Sequence, residues 1–344
     1  MNDEIQPPTA AVVGLGRMGL RHLQVLCELG MKISGLSDIN RASAIAAGQS
    51  YAPEAAIYEN AADMLQDRMP EAVVIATTAD SHKDLVLAAV GNGAKWILCE
   101  KPMAVSLEEA NSMTAACAEA GVKLAINHQM RFMPNYFRIK ELIGTEGLGA
   151  LASIVVSGSN FGLAMNASHF FEVFRYITDE NATVVFADFE DDIVANPRGP
   201  QFEDRSGRLI AKNSNGQAIY IDFSVNAGWG LSVAYICRYG QIHVDELGGE
   251  VRVYERQPEY RDLPTTRYGM PHMTRIDHIP PTDATAPTRA LWDAMLNDRD
   301  FPGASEGRHA LECIIAAHLS HEQGGKWVSL ASLGRRANQK FNWA

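Results

Sequence analysis

Residues 98–102 of this 344-residue chain read LCEKP. The apolar run AKWILCE ends on a carboxylate and an amine, Glu100 and Lys101, and Pro102 interrupts it. An acid and an amine beside a proline are by themselves compatible with an ordinary turn. A second constellation is SHFFE, where His169 and Glu172 stand three apart and so share one face of a helix. An imidazole of ordinary pKa, about 6.5, suits a general base near neutral pH, and a neighbouring carboxylate can hold its tautomer. A third is G-x-G-x-x-G at Gly14, Gly16 and Gly19, the spacing that brings a chain's backbone against a pyrophosphate.

The elements needed to position these groups are legible around them. Ala10–Val13 is a short apolar run, and after the glycines Leu20, Leu23 and Leu26 recur at helical spacing. Such a strand–turn–helix uses its first glycine for the tight turn, its second for the approach of the phosphates and its third for helix–strand packing. The opening turn of the helix then offers its unpaired amides to the anion, which makes Gly14, Gly16, Arg17, Met18 and Gly19 the expected pyrophosphate site. KISGLSDIN supplies Asp38, nineteen residues after Gly19, where an acid would bind the hydroxyls of an adenosine ribose. Its charge repels a 2′-phosphate and favours NAD, while Arg41 nearby leaves NADP open.

Further strands are expected at AAIY, EAVVIATT and KWILC, with helical stretches between them, which indicates a parallel sheet covered on both faces. In such sheets the ligand lies beyond the carboxyl ends of the strands. Thr77, Thr78, Asp80 and His82 follow one such end, and Glu100 and Lys101 follow the next, so all are expected near the cofactor. Ser106 and Glu109 form an S-x-x-E capping box that opens the next helix.

The bulk numbers bound the partners. The length favours two domains, and 47% hydrophobic with 21% charged residues is a globular profile. A net charge of −11 disfavours nucleic acid and anionic membrane as partners. Five dispersed cysteines with no C-x-x-C pair read as buried thiols in a reducing compartment. The acidic start MNDEIQPPTA lacks the features of a signal peptide, and no stretch approaches the roughly 18 apolar residues of a membrane span, so a cytoplasmic location is expected.

The segments VVGLGRMGLRHL, VVIATTADSH, ILCEKPMAVSLEEA, INHQMRFMP, LIGTEGLGAL, NASHFFEVFRYIT and ASEGRHALECIIAAHLSHEQGGKWVSL together resemble the glucose–fructose oxidoreductase, inositol dehydrogenase and rhizopine-catabolism (Gfo/Idh/MocA) oxidoreductase family. The resemblance covers nearly the whole chain. It implies a Rossmann domain followed by an α+β domain, with Lys101 near the nicotinamide and the reacting hydroxyl, Glu100 helping to position it, and a cis peptide bond before Pro102. An ammonium hydrogen-bonded to that oxygen favours the alkoxide from which hydride leaves. Relatives commonly show D-x-G-x-H-x-x-D, the histidine taking the substrate proton. His169 matches the histidine and Glu172 replaces the last aspartate. Met165 stands where the first aspartate would be, with Asn166 beside it as a hydrogen-bonding side chain for a sugar hydroxyl. Asn127 and Arg131 in INHQMRF are further candidates to reach ribose or substrate hydroxyls, and His128 lies between them.

The expected fold is an α/β Rossmann domain with a doubly wound parallel sheet over residues 1–125, and an α+β domain with a large, mostly antiparallel open sheet over 126–344. From Leu151 the chain turns to β-rich alternation, and NSNGQ is a hairpin signal. One sheet face is expected to carry the substrate site and the other, as is frequent in relatives, a homodimer or homotetramer interface. The segments 196–207 and 257–287 are expected to overhang the site. His272, Asp277 and His278 lack compact metal-ligand spacing, and no metal is expected. The expected activity is NAD(P)-dependent interconversion of a hydroxyl and a ketone on a sugar, amino sugar, nucleotide sugar or polyol. The alternatives are a glycosidase-type enzyme with transient redox, and a dinucleotide-sensing regulatory protein without catalysis.

Overall fold

A computed structural model of the chain describes residues 7–145, 147–159, 162–191, 196, 198–228, 230–264, 270–280 and 283–343. The backbone divides into two units, the first of Met1–Gln129, Asp283–Leu311 and Arg336–Ala344, the second of Met130–Thr282 and Glu312–Arg335.

The first unit alternates strands and helices: β1 (Thr9–Val13), α1 (Arg17–Glu28), β2 (Lys32–Ser37), α2 (Arg41–Tyr51), β3 (Ala56–Tyr58), α3 (Ala61–Arg68), β4 (Ala72–Ile75), α4 (Ala79–Gly91), β5 (Trp96–Cys99), α5 (Leu107–Ala120) and β6 (Lys123–Ile126). Among the described residues these strands form a six-stranded sheet in the order β3-β2-β1-β4-β5-β6, every pair parallel. Ala10–Val13, Ala72–Ile75 and Ile97–Cys99 are buried throughout, as runs covered on both faces must be. The strand order reverses between β1 and β4, and that switch point is where an open α/β sheet leaves a crevice.

Chain from beyond residue 282 completes this unit. Lys123 Nζ donates to the carbonyl of Met295, and Ala125 bridges Gly303. The tail returns beside the segment after Lys101: the Phe341 amide donates to the Val105 carbonyl at 3.0 Å and the Trp343 indole N–H to the Ala104 carbonyl at 3.0 Å. Of the expected capping box only half forms. Ser106 Oγ accepts the Glu109 amide at 3.2 Å, while the Glu109 carboxylate is taken by Lys340 of the tail at 2.7 Å.

The second unit contains α6 (Pro134–Ile143), β7 (Leu151–Gly158), α7 (Ser168–Thr178), β8 (Ala182–Phe189), β9 (Gly207–Asn213), β10 (Ala218–Phe223), β11 (Leu231–Cys237), β12 (Gly240–Asp245), β13 (Glu250–Arg256) and β14 (His272–His278), with β15 (Val328–Ser329) returning later. Its sheet runs β14-β13-β12-β11-β7-β10-β9-β8-β15, nine strands among the described residues, antiparallel except for the β7/β10 pair. Ile154 and Val156, Val233 and Tyr235, and Ile219 and Ile221 are buried at alternate positions, the signature of a sheet covered on one face. Helix α7 buries Phe170, Phe171, Val173, Phe174 and Ile177, each worth roughly 1.5–3 kcal/mol. The NSNGQ turn forms as the sequence predicts: Asn213 Oδ1 accepts the amides of Asn215 and Gln217, and Gly216 takes φ +82°.

The tract 257–287 contains one strand among the described residues. Its residues 272–278 pair with β13 as an exposed edge strand. Residues 265–269, 281 and 282 lie outside the described residues.

Candidate active site

The glycine turn has the geometry of a phosphate cradle. Gly14 holds φ +84°, and a Cβ there would fall 2.5 Å from the Ala76 carbonyl oxygen. A Cβ at Gly19 would fall 1.8 Å from the Gly14 carbonyl oxygen, so α1 packs against the turn at a distance only glycine allows. Gly16 is different: a Cβ there would meet nothing within 4 Å. The room above Gly16 is therefore kept open, and it lies at the start of α1, which has no side-chain cap and no acid in its first turn. Amides of Arg17 and Met18 at that helix start complete an electropositive site suited to a pyrophosphate. Asp38 leaves the end of β2 and turns back to this loop, its Oδ2 accepting the Leu15 amide at 2.7 Å and its Oδ1 the Asn40 amide at 2.8 Å. These residues fit the adenosine end of a dinucleotide.

At the end of β5 the chain turns through Glu100 and Lys101, and the Lys101–Pro102 peptide bond is cis. Glu100 is 3% exposed. Its Oε1 takes His22 Nε2 at 2.9 Å and Asn127 Nδ2 at 2.7 Å, and its Oε2 accepts the Lys101 amide at 3.3 Å. Burial pushes this carboxyl's pKa up, but the hydrogen bond and charge of His22, the charge of Lys101 and the bond from Asn127 outweigh it and hold it at about 2. Glu100 is thus an anion at neutral pH and can only accept, so His22 donates. His22 belongs to α1, the helix that the glycines open, so one buried carboxylate ties the cofactor helix, the Lys101 turn and the residue after β6 into one network.

His82, expected at the cofactor, is instead a buried brace. Its Nδ1 lies 3.1 Å from the Pro102 carbonyl oxygen and its Nε2 3.3 Å from that of Thr77, and burial lowers its pKa, which keeps the ring neutral. The ring packs between the loops that follow β4 and β5, and in its neutral form it donates its one N–H to a carbonyl of only one of them. Thr77 and Thr78 stand half-buried at the start of α4, with Thr77 Oγ1 and Ser81 Oγ 2.7 Å apart. His128 is buried two residues beyond β6.

In the second unit, a π-helical turn, Leu163–Ala167, runs directly into α7 and carries Asn166, with half-buried His169 two residues after it. Glu172, 1% exposed, is expected from the sequence to orient His169; it carries a further load. Arg175 grips it with two bonds, Nε to Oε2 at 2.7 Å and Nη2 to Oε1 at 2.9 Å, and Arg131 approaches Oε1 at 3.4 Å. Arg131 is itself buried, its guanidinium lying over the Tyr176 ring at 5.1 Å. It therefore serves this ion cluster, and Asn127 serves Glu100, where the sequence reading assigned both to ribose or substrate. One participant escaped that reading, His22, because its partner Glu100 is distant in the chain. Among the described residues no three His, Cys, Asp or Glu side chains gather as metal ligands, and no helix is long and apolar enough to cross a membrane.

A parallel sheet of this order with a glycine cradle at its switch point defines a dinucleotide-binding protein of the Rossmann type. Comparison with known proteins carries this further. Residues 9–128 match the GFO_IDH_MocA family, an oxidoreductase family with an NAD-binding Rossmann fold. The chain is 26% identical over 238 residues to inositol 2-dehydrogenase of Paracoccus denitrificans (strain Pd 1222), covering 64% of this chain and 68% of that one. It is 30% identical over 234 residues to the uncharacterized oxidoreductase YrbE of Bacillus subtilis (strain 168), covering 64% and 67%. In fold it is similar to an oxidoreductase from Agrobacterium radiobacter solved with NAD+, L-tartaric acid and magnesium, with TM-score 0.79, 17% identity and coverage of 95% and 99%. The chain belongs to the Gfo/Idh/MocA family of NAD-binding oxidoreductases.

Proposed function

We propose that the protein is an NAD-dependent dehydrogenase that interconverts a hydroxyl and a ketone on a sugar or polyol. The observation that carries this reading is the buried Glu100 network, which fixes the Lys101 turn to the helix that opens at Gly16. A solvated turn has no use for a fully buried carboxylate held by a histidine and an asparagine. The similarity to inositol 2-dehydrogenase supports the substrate class.

Gly14, Gly16, Arg17, Met18 and Gly19 would hold the pyrophosphate, and Asp38 the adenosine ribose. NAD, when bound, supplies the hydride acceptor or donor at its nicotinamide ring. Lys101 Nζ would donate a hydrogen bond to the reacting oxygen and favour its alkoxide form, and an imidazole nitrogen of His169 would take the hydroxyl proton. Asn166 would hydrogen-bond a further hydroxyl. The preference for NAD over NADP rests on the Asp38 carboxylate at the end of β2. The nearby cation Arg41 sits 3.8 Å from Glu59, which offsets its attraction for a 2′-phosphate.

The protein would act as a homodimer or homotetramer through the open face of its large sheet. Val155 and Tyr220, register partners on the central strands β7 and β10, are 39% and 40% exposed there. Apolar side chains at the middle of a sheet face suit coverage by a second copy.

The test is turnover of NAD+ or NADP+ by the purified protein against a panel of inositols, sugars, amino sugars and nucleotide sugars. Lys101→Ala and His169→Ala should each lower kcat about 10²- to 10⁴-fold. Activity within about threefold of wild type in either variant would overturn its assignment. Tight NAD binding without turnover across the panel would favour transient redox or a sensing role.

A further inference from the structure

The segment before β9 reaches back to the helix that carries His169. Asp204 is 9% exposed; its Oδ1 accepts the Ala164 amide at 2.8 Å and its Oδ2 the Met165 amide at 2.9 Å. The carbonyl of the next residue, Arg205, accepts the Leu163 amide at 3.0 Å. Three successive amides at the start of the π turn, the groups a helix leaves without partners, are thus all met by two consecutive residues about forty positions away. The approach is close enough to exclude a side chain at Gly162, where a Cβ would fall 1.8 Å from Asp204 Oδ2.

The strap is held at its other end too. Arg205 Nη2 donates to the Glu190 carbonyl at 2.9 Å, and its guanidinium lies 5.9 Å from the Phe189 ring centroid. The Glu190 amide donates to the Ser206 carbonyl at 3.0 Å. The segment is therefore clamped to the end of β8 while its carboxylate grips Leu163–Ala167.

A π turn holds one more residue than an α turn, and its relaxation to α geometry would rotate the residues before it against those after it by about 100°. Asn166 lies inside the turn and His169 just beyond it. We propose that Asp204 is a positioning residue that locks the π register and so sets the direction of Asn166 relative to His169. The inference rests on the dehydrogenase reading for its catalytic consequence, and on the strap geometry alone for its structural one. It also accounts for a chain with no acid at position 165: the negative charge at this helix start comes from Asp204 instead.

The experiment compares Asp204→Asn, which keeps one acceptor, with Asp204→Ala, which keeps none. Hydrogen exchange of the Ala164 and Met165 amides should quicken at least about tenfold in Asp204→Ala and less in Asp204→Asn. The His169 ring resonance, assigned with His169→Gln, should move while that of His243 stays. On a substrate that the wild type turns over, kcat should fall about 10- to 100-fold with NAD affinity within about twofold, at a temperature where every variant is folded. Unchanged exchange and an unchanged His169 resonance overturn the proposal, whatever the activity. Altered exchange with unaltered kcat overturns the positioning role. A wild type that turns over nothing refutes the dehydrogenase reading, and the exchange and resonance data still decide the lock. If Asp204→Ala does not fold, Asp204→Asn gives the same tests.

Discussion

His22 donates from Nε2 to Glu100 Oε1 across 2.9 Å, between residues 78 apart in the chain. That bond joins α1 to the Lys101 turn inside a region both side chains share with almost no solvent. Removing the donor leaves a buried carboxylate short of a partner. His22→Leu should lower stability by about 1–3 kcal/mol in urea denaturation. His22→Gln, which can still offer an N–H, should recover most of the loss. A His22→Leu protein as stable as wild type would show the bond to be dispensable.

The three glycines should separate folding from binding. Gly19→Ala sets a methyl against the Gly14 carbonyl and should destabilise the first unit by roughly 2 kcal/mol or more. Gly16→Ala meets no atom within 4 Å, so it should cost only the exchange of an N-cap glycine for alanine, about 1 kcal/mol or less and well below the cost of Gly19→Ala. The methyl would occupy the space kept for phosphate, and calorimetry should show NAD affinity falling by at least about tenfold.

Asp38→Asn keeps an acceptor for the Leu15 amide while removing the charge. The ratio of NADP to NAD affinity should rise about tenfold, measured by competition binding. An unchanged ratio would mean that Asp38 does not choose the cofactor.

Glu246 predicts an alkaline weakness. Burial pushes its carboxyl up to about 8, against hydrogen bonds from Tyr136 and Asn135 that lower it. The folded state then keeps a proton that the unfolded chain releases near its ordinary value of about 4.3. Stability from this group is complete below that lower value and is lost as pH rises through about 8. Glu246→Gln carries no such proton. Unfolding free energies from urea denaturation should fall between about pH 5 and pH 8.5 for wild type by on the order of 2 kcal/mol or more relative to the variant. Parallel pH profiles for the two proteins would refute the assignment.

What the sequence made legible was local. The glycine turn, Asp38, the NSNGQ hairpin and the strands alternating with helices depend on neighbours within a few residues, and each stands where spacing placed it. His82 was misread because its distance from a strand end is right for a ligand, whereas its ring turns inward to the carbonyls of Thr77 and Pro102. Arg131 in INHQMRF reads as a side chain for ribose or substrate hydroxyls, yet Glu172 and Tyr176, more than forty residues on, hold it in the interior. The strap from Asp204 was invisible for the same reason: no periodicity links residue 204 to residue 164. Even the capping box shows the limit, since Lys340 takes the glutamate that local pattern assigned to the helix start.

The tail that seats Phe341 and Trp343 against Val105 and Ala104 has a consequence for biosynthesis. The dinucleotide unit is built mostly from residues up to 129 and is finished by residues 283–311 and 336–344. At about 5–20 residues per second, the nascent first 129 residues wait about 10–40 s for the tail that covers them. During that interval the backbone after Lys101 lacks the Phe341 and Trp343 hydrogen bonds that it has in the finished fold.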